Sequence, residues 1–354
     1  MYPTRVSEAS RGLSNRILSI AESATLKVDA KAKALKAQGR PVISFAAGEP
    51  DFPTPENVVQ AALAAVKDPA NHRYTPAAGL PALREAIAEK TLRDSGWKVS
   101  ASQVVVTNGG KQAVYQACAT LLDPGDEILL PAPYWTTYPE AITLAGGTPV
   151  VVFAGADQDY KVTIEQLEAA RTPKTKALLF VSPSNPTGAV MTLEETRAIG
   201  EWAAEHGIWV IADEIYQNLV YDGDSDHAVS IAEAAPAIQD RCILVNGVAK
   251  TYAMTGWRLG YGAGPVELVR AMARLQAQSS LNPSSVSQAA AVAALNGPQD
   301  IVRERNAIFQ SRRDALVKRL KAIPGLACEP PEGAFYVYVS CAGWLGRRTP
   351  QGTT

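Results

Sequence analysis

The stretch Asn246-Gly-Val-Ala-Lys-Thr-Tyr-Ala-Met-Thr-Gly-Trp-Arg-Leu-Gly260 decides how the rest of the chain is read. It follows an apolar, strand-like run at 242–245, so Lys250 is expected just beyond a strand end, where open α/β sheets gather their ligands. Small neighbours (Gly247, Ala249 and Ala253) let a bulky group approach the amine. Arg258, eight residues on, offers a second cation suited to a phosphate oxygen. A lone lysine in a loop is ordinarily a solvated surface group, so by itself the pattern is an amine beside an anion clamp.

The totals narrow the setting. A chain of 354 residues with 47% hydrophobic content can fill one large or two medium domains with a real core. Basic and acidic residues are mixed, and the net charge of −1 with a pI near 6.4 gives no electrostatic footprint for nucleic acid or an anionic membrane. Small-molecule chemistry is left. The four cysteines (Cys118, Cys242, Cys328, Cys341) lack CxxC spacing, and the three histidines (His72, His206, His227) lack ligand spacing. Neither a metal site nor a disulfide framework is expected. No apolar run reaches the ~18 residues that span a bilayer, and no signal-peptide core opens the chain, so a cytoplasmic location is expected.

Outward from Lys250, apolar runs alternate with helical patterns, as a mostly parallel sheet covered by helices requires. Strand-like runs fall at 104–107, 127–130, 148–152, 177–181 and 208–212; helical patterns fall at 24–38, 55–66, 164–171, 193–206, 265–277, 284–295 and 298–320, and another, following the loop that opens at 72, runs to about 93. Each run ends in a distinctive segment. Asn108-Gly-Gly-Lys-Gln-Ala113 opens a helix whose first N–H groups attract a phosphate, although a tight strand-to-helix turn explains its glycines equally well. Trp135 and Tyr138 follow the strand at 127–130; they are either interior packing or an aromatic face for a planar ring. Asn185, in Ser182-Pro-Ser-Asn-Pro-Thr-Gly188, can donate an amide to a phenolate oxygen. Asp213, after the apolar run 208–212, buries a charge at high cost unless a cation meets it, and Tyr216 follows. Nearer the start, Ala46-Ala-Gly-Glu-Pro-Asp-Phe52 reads as a glycine/proline turn, and Tyr74 in the loop 72–80 could cap a core edge.

Taken in order, Gly110, Trp135, Asn185, Asp213, Tyr216, Lys250 and Arg258 resemble the cofactor site of the fold-type I aminotransferases that use pyridoxal 5'-phosphate (PLP), in the bacterial aspartate aminotransferase branch. The similarity runs from about residue 12 to 339. It implies that Lys250 carries PLP and later shuttles a proton, Asp213 holds the pyridine nitrogen protonated, and Asn185 and Tyr216 bond the ring hydroxyl. Arg258 and the loop at Gly110 would bind the phosphate, with Trp135 over the ring face. Gly48 would meet the substrate carboxylate, Trp135 and Asn185 would contact the substrate as well as the cofactor, and Lys111 would also lie at the cofactor. Lys111 would pair with a distal carboxylate, which favours aspartate with 2-oxoglutarate; its plainer reading is a surface lysine at a helix start. Tyr74 would reach a partner's phosphate, implying a homodimer. Relatives that also transaminate prephenate carry a lysine near the position of Ala21, so that activity is not expected.

The expected architecture is therefore α/β: an N-terminal arm and helix (1–47), a large three-layer PLP-binding domain (48–283), and the start of a small α+β domain (284–354) with a strand at 335–339. After residue 339 the resemblance stops, and no residue matches the family's arginine for the substrate α-carboxylate. Arg347 and Arg348 are not candidates. The expectation is a small domain that stops short. Two other readings stay open: an aminotransferase for aromatic, alanine or 2-aminoadipate substrates or a β-lyase on the same scaffold, and a PLP-binding protein without activity.

Overall fold

A computed structural model describes residues 12–45, 48–223 and 225–348. Among them seven runs pair into one sheet: β1 (Val104–Thr107), β2 (Glu127–Ala132), β3 (Thr148–Phe153), β4 (Thr175–Val181), β5 (Trp209–Asp213), β6 (Cys242–Gly247) and β7 (Gly260–Ala263). Their order across the sheet is β1-β7-β6-β5-β4-β2-β3. From β3 to β6 all neighbours run parallel, while β7 lies antiparallel to both β6 and β1. Every residue of β1 and β6 is buried, as strands covered on both faces must be.

The helices are α1 (Asn15–Leu18), α2 (Ala24–Ala37), α3 (Glu56–Lys67), α4 (Pro81–Ser95), α5 (Gly110–Leu121) and α6 (Thr137–Leu144), then α7 (Ile164–Ala170), α8 (Leu193–Glu205), α9 (Ile231–Ala234), α10 (Val266–Ser279), α11 (Ser285–Asn296) and α12 (Asp300–Lys321). Because strand side chains alternate, Leu129, Val210 and Leu244 face one core with α4, α8 and α11. Ile128, Ile211 and Ile243 face the other with α5, α6 and α10. The result is the three-layer body that the alternating pattern predicts. Local chemistry agrees: Thr192 and Glu195 form a capping box at the start of α8, and α4 ends on Gly96 in the left-handed region at φ 58°.

Two features differ from the sequence reading. β7, Gly-Tyr-Gly-Ala, carries none of the composition of a strand. A Cβ at Gly260 would lie 2.3 Å from the Gly110 nitrogen, so close approach to the start of α5 dictates glycine there. The strand expected at 335–339 is absent. Among the described residues that region pairs only through the isolated bridges Val220↔Gly333 and Ala327↔Ser340. Phe335 and Tyr336 instead pack against a small cluster of Tyr216, Leu219 and Ala334. The expected arm at 1–11, positions 46 and 47 of the glycine/proline turn, and 349–354 lie outside the described residues.

Candidate active site

The parallel strands β4, β5 and β6 end together, and the turns that leave them line one crevice. Asp213 is the last residue of β5, in register with Val181 and Val245 on its neighbours. It is buried, and its carboxylate accepts from the Tyr138 hydroxyl at 2.9 Å and the Ile215 amide at 3.1 Å. Both donors are neutral. Burial therefore outweighs them and the more distant Lys250 charge, and raises the Asp213 pKa to about 6. A carboxylate in this position accommodates a cation such as a protonated ring nitrogen.

Lys250 follows β6 by three residues. Its Nζ donates to the Gly48 carbonyl at 2.7 Å and lies 5.8 Å from the Tyr216 ring centroid and 5.3 Å from that of Phe335. Burial among these groups lowers its pKa to about 8; Glu49 and Asp213 oppose that shift and Arg258 adds to it. An amine so placed reaches its neutral, nucleophilic form more readily than a surface lysine.

The anion end of the crevice is built from α5 and the turn before β7. The first N–H groups of α5 have no carbonyl within the helix to bond. Arg258 adopts left-handed backbone at φ 52°, and its Nη1 donates to the Thr255 carbonyl at 2.8 Å. A Cβ on Gly109 would come within 2.6 Å of Arg258 Nη2, so the guanidinium lies over that glycine. Lys111 Nζ sits 4.9 Å from the centroid of the Trp135 ring, and its pKa is lowered by burial and by Arg258. Trp135 in turn meets Tyr138 edge to face at 5.3 Å. Helix N–H groups, Arg258 and Lys111 thus gather at one end of the crevice, an arrangement that could hold an anion.

Across the crevice, Asn185 Nδ2 donates to the Tyr336 hydroxyl at 3.5 Å, and the Tyr216 and Tyr336 hydroxyls are 2.7 Å apart. Gly48, Gly110, Lys111, Trp135, Asn185, Asp213, Tyr216, Lys250 and Arg258 are brought together. Tyr74 is not: it is 92% exposed on the surface of the single chain. Sequence reasoning left the role of Tyr138 open and missed Tyr336. It also missed the buried polar group behind Tyr216, in which Lys90 pairs with Asp94 at 2.9 Å and approaches Gln217 Oε1 at 3.4 Å. Gln217 also accepts from Asn246 at 3.2 Å and donates to the Asp94 carbonyl at 2.7 Å, fixing the turn that carries Tyr216. One signal was available: Lys90 lies on the α4 stripe of Leu83, Ile87 and Asp94, where a cation has to be paired.

A family model described as Aminotransferase class I and II matches residues 40–344. An aspartate aminotransferase of Streptomyces avermitilis is 58% identical over 347 residues, covering 97% of this chain and 85% of the relative. An aspartate/prephenate aminotransferase of Cereibacter sphaeroides is 48% identical over 341 residues, covering 96% and 84% respectively. The crystal structure of the Rhizobium meliloti aspartate aminotransferase superposes with a TM-score of 0.91 at 46% identity, covering 96% of this chain and 85% of that one.

Proposed function

The chain belongs to the class I and II aminotransferases, and from that membership we propose that it transfers the amino group of L-aspartate to 2-oxoglutarate, giving oxaloacetate and L-glutamate, with PLP as cofactor. The observation that carries this reading is a buried acid, Asp213, within electrostatic reach of a half-buried amine, Lys250. Asp213 is an acid whose nearest donors are neutral, and Lys250 is an amine with a pKa lowered to about 8. Such a pair fits a cationic heteroaromatic ring with a carbonyl carbon at one end.

When bound, PLP supplies an electron sink for the charge left at the substrate Cα. The chain's own residues do the rest. Lys250 would hold the cofactor and, as a free amine, would take and return the proton at the substrate Cα. Asp213 holds the ring nitrogen protonated, with Tyr138 fixing its carboxylate. Asn185 and Tyr216 would donate to the ring oxygen. The start of α5 and Arg258 would hold the phosphate, Trp135 would pack on the ring, and the Gly48 backbone would meet the substrate carboxylate.

Lys111 receives the distal carboxylate, which makes aspartate the preferred donor over aromatic, alanine or 2-aminoadipate substrates. Lys111→Ala should raise KM for aspartate far more than for alanine; an equal effect on both would remove this basis for specificity. A homodimer in the cytoplasm is the proposed state, with Tyr74 reaching the partner's phosphate. A small second body is also proposed, its boundary at 283/284 as read from the sequence, or after Asn296 given that α11 packs on α3 and α4.

Release of oxaloacetate from aspartate and 2-oxoglutarate by the purified, PLP-loaded protein tests the reaction directly. Turnover that disappears in Lys250→Ala is the expected result. PLP binding with no oxaloacetate would make the protein a binder without this activity.

A further inference from the structure

The segment from Gly48 to Thr54 is tied at both ends to the turn that carries Lys250. The Gly48 carbonyl accepts from Lys250 Nζ at 2.7 Å, and Glu49 Oε2 accepts from the Thr255 hydroxyl at 3.0 Å. At the far end the Thr54 hydroxyl donates to the Ala253 carbonyl at 3.1 Å and accepts from the Trp257 indole at 2.9 Å. The middle of the segment is held by α12. Arg305, Phe309 and Arg312 are spaced four and three residues apart, so they share one face of that helix. Arg312 Nη1 donates to Asp51 Oδ1 at 2.8 Å, and Arg305 Nη2 donates to the Pro53 carbonyl.

Phe52 lies inside this grip. The guanidinium carbons of Arg305 and Arg312 stand 5.1 and 5.2 Å from its ring centroid, and the Phe309 ring meets it edge to face at 5.2 Å. The Asp51–Arg312 pair is solvent-exposed and contributes little. Arg305 is buried, and its Nη1 has no hydrogen-bond partner among the described residues, so beyond the Pro53 carbonyl it is the Phe52 face that compensates a desolvated cation. From Phe52 two routes lead to the Lys250 amine. Along the chain, four residues back, is the Gly48 carbonyl. Through space, Phe309 stacks on Phe335 at 5.6 Å, and the Phe335 ring centroid is 5.3 Å from Lys250 Nζ. The groups that face Lys250 are Glu49 on this segment, Asp213 and Tyr216 at and after the end of β5, and Arg258 before β7; burial outweighs their charges and holds the amine at a pKa of about 8.

We propose that Phe52 is a positioning residue for Lys250: clamped by the Arg305, Phe309 and Arg312 face of α12, it holds the segment 48–54 and the Phe335 ring over the amine and keeps water from it. The inference rests on the reading of Lys250 as the cofactor amine and adds the residue that maintains its cover. Phe52 itself touches neither cofactor nor substrate in this account.

Phe52→Leu keeps apolar bulk and removes the flat faces, whereas Phe52→Tyr keeps them. PLP is added to the cofactor-free protein at a series of pH values, and the rate at which the absorption band of the attached cofactor grows is followed. The amine adds only when neutral, so the rate rises through the Lys250 pKa. The wild-type midpoint is expected near 8. In Phe52→Leu it should move up by roughly one pH unit toward the ordinary 10.5, as partial loss of burial implies, with Phe52→Tyr close to wild type. Arg312→Gln, on the exposed side of the clamp, should shift it the same way by less. A midpoint unmoved or lowered in both Phe52→Leu and Arg312→Gln would overturn the assignment, even with a lower melting temperature, because the clamp would then be structural only. An equal upward shift in Phe52→Tyr would overturn it too. If the wild-type protein itself gave no PLP absorption band, the cofactor reading would fail and this inference with it. A normal band with an unmoved midpoint would remove Phe52 alone.

Discussion

Asp213 and its neighbour Glu214 are both buried acids, with pKa values raised to about 6 and about 7 from ordinary values of 3.8 and 4.5. A raised acid holds its proton more firmly in the folded than in the unfolded chain, so its contribution to stability falls as pH rises from the unfolded value through the folded one. For Asp213 that window lies between about pH 4 and 6, and the shift corresponds to roughly 3 kcal/mol. Thermal melts of the cofactor-free protein should show a shallower loss of stability across that window in Asp213→Asn than in wild type. PLP should restore part of the loss by supplying a cation; an identical slope in the variant would mean that Asp213 is not the strained group. The places of Lys250, Asp213 and Asn185 beyond strand ends were legible in the sequence because each follows an apolar run, while the roles expected of them came from the resemblance. Tyr138 and Tyr336 were not. Their meaning lies in partners 75 and 120 positions away, Asp213 and Tyr216, which no local pattern reveals.

The proposed phosphate end depends on how closely β7 approaches α5. A Cβ at Gly260 would lie 2.3 Å from the Gly110 nitrogen and 2.5 Å from the Gly109 carbonyl carbon, both backbone atoms with no rotamer to yield. Gly260→Ala should therefore cost about 1–3 kcal/mol, as overpacking of a rigid contact does, and push the N–H groups of α5 away from Arg258. A lower melting temperature together with weaker PLP binding is expected; unchanged values for both would show that the two backbones separate freely. The same contact explains why β7 was invisible in the sequence, since the glycines it requires are the residues least typical of strands. The opposite error at 335–339 has a matching cause. Phe-Tyr-Val-Tyr-Val has strand composition, but no described strand lies alongside it, and the Phe335 and Tyr336 rings are drawn into the crevice wall while Tyr338 packs on Tyr160. The parallel strands were easier, because burial on both faces gives continuous apolar runs of short length.

At the scale of the whole molecule, a single chain leaves large apolar side chains in solvent. Ile43 is 81% exposed, and Phe45 and Tyr74 are each 92% exposed. Surfaces of this kind mark places where another protein packs, and the proposed partner is a second copy of the chain. Light scattering on the purified protein should give twice the chain mass of 37.6 kDa. Tyr74→Phe should weaken PLP binding while leaving that mass unchanged. A monomer that binds PLP as well as the wild-type dimer would remove Tyr74 from the site. Fold class was legible at this scale from the alternation of runs alone, whereas the homodimer was an expectation that only the resemblance supplied, because exposure is a property of the folded surface.

The central claim is that the Lys250 amine carries the cofactor opposite Asp213. Purified protein incubated with PLP, reduced with borohydride and digested tests it most directly. A visible absorption band that borohydride bleaches, with the reduced cofactor recovered on the peptide containing Lys250 and absent from Lys250→Ala, is the predicted result. Cofactor recovered on a different lysine, or no bleachable band in the intact protein, would contradict it.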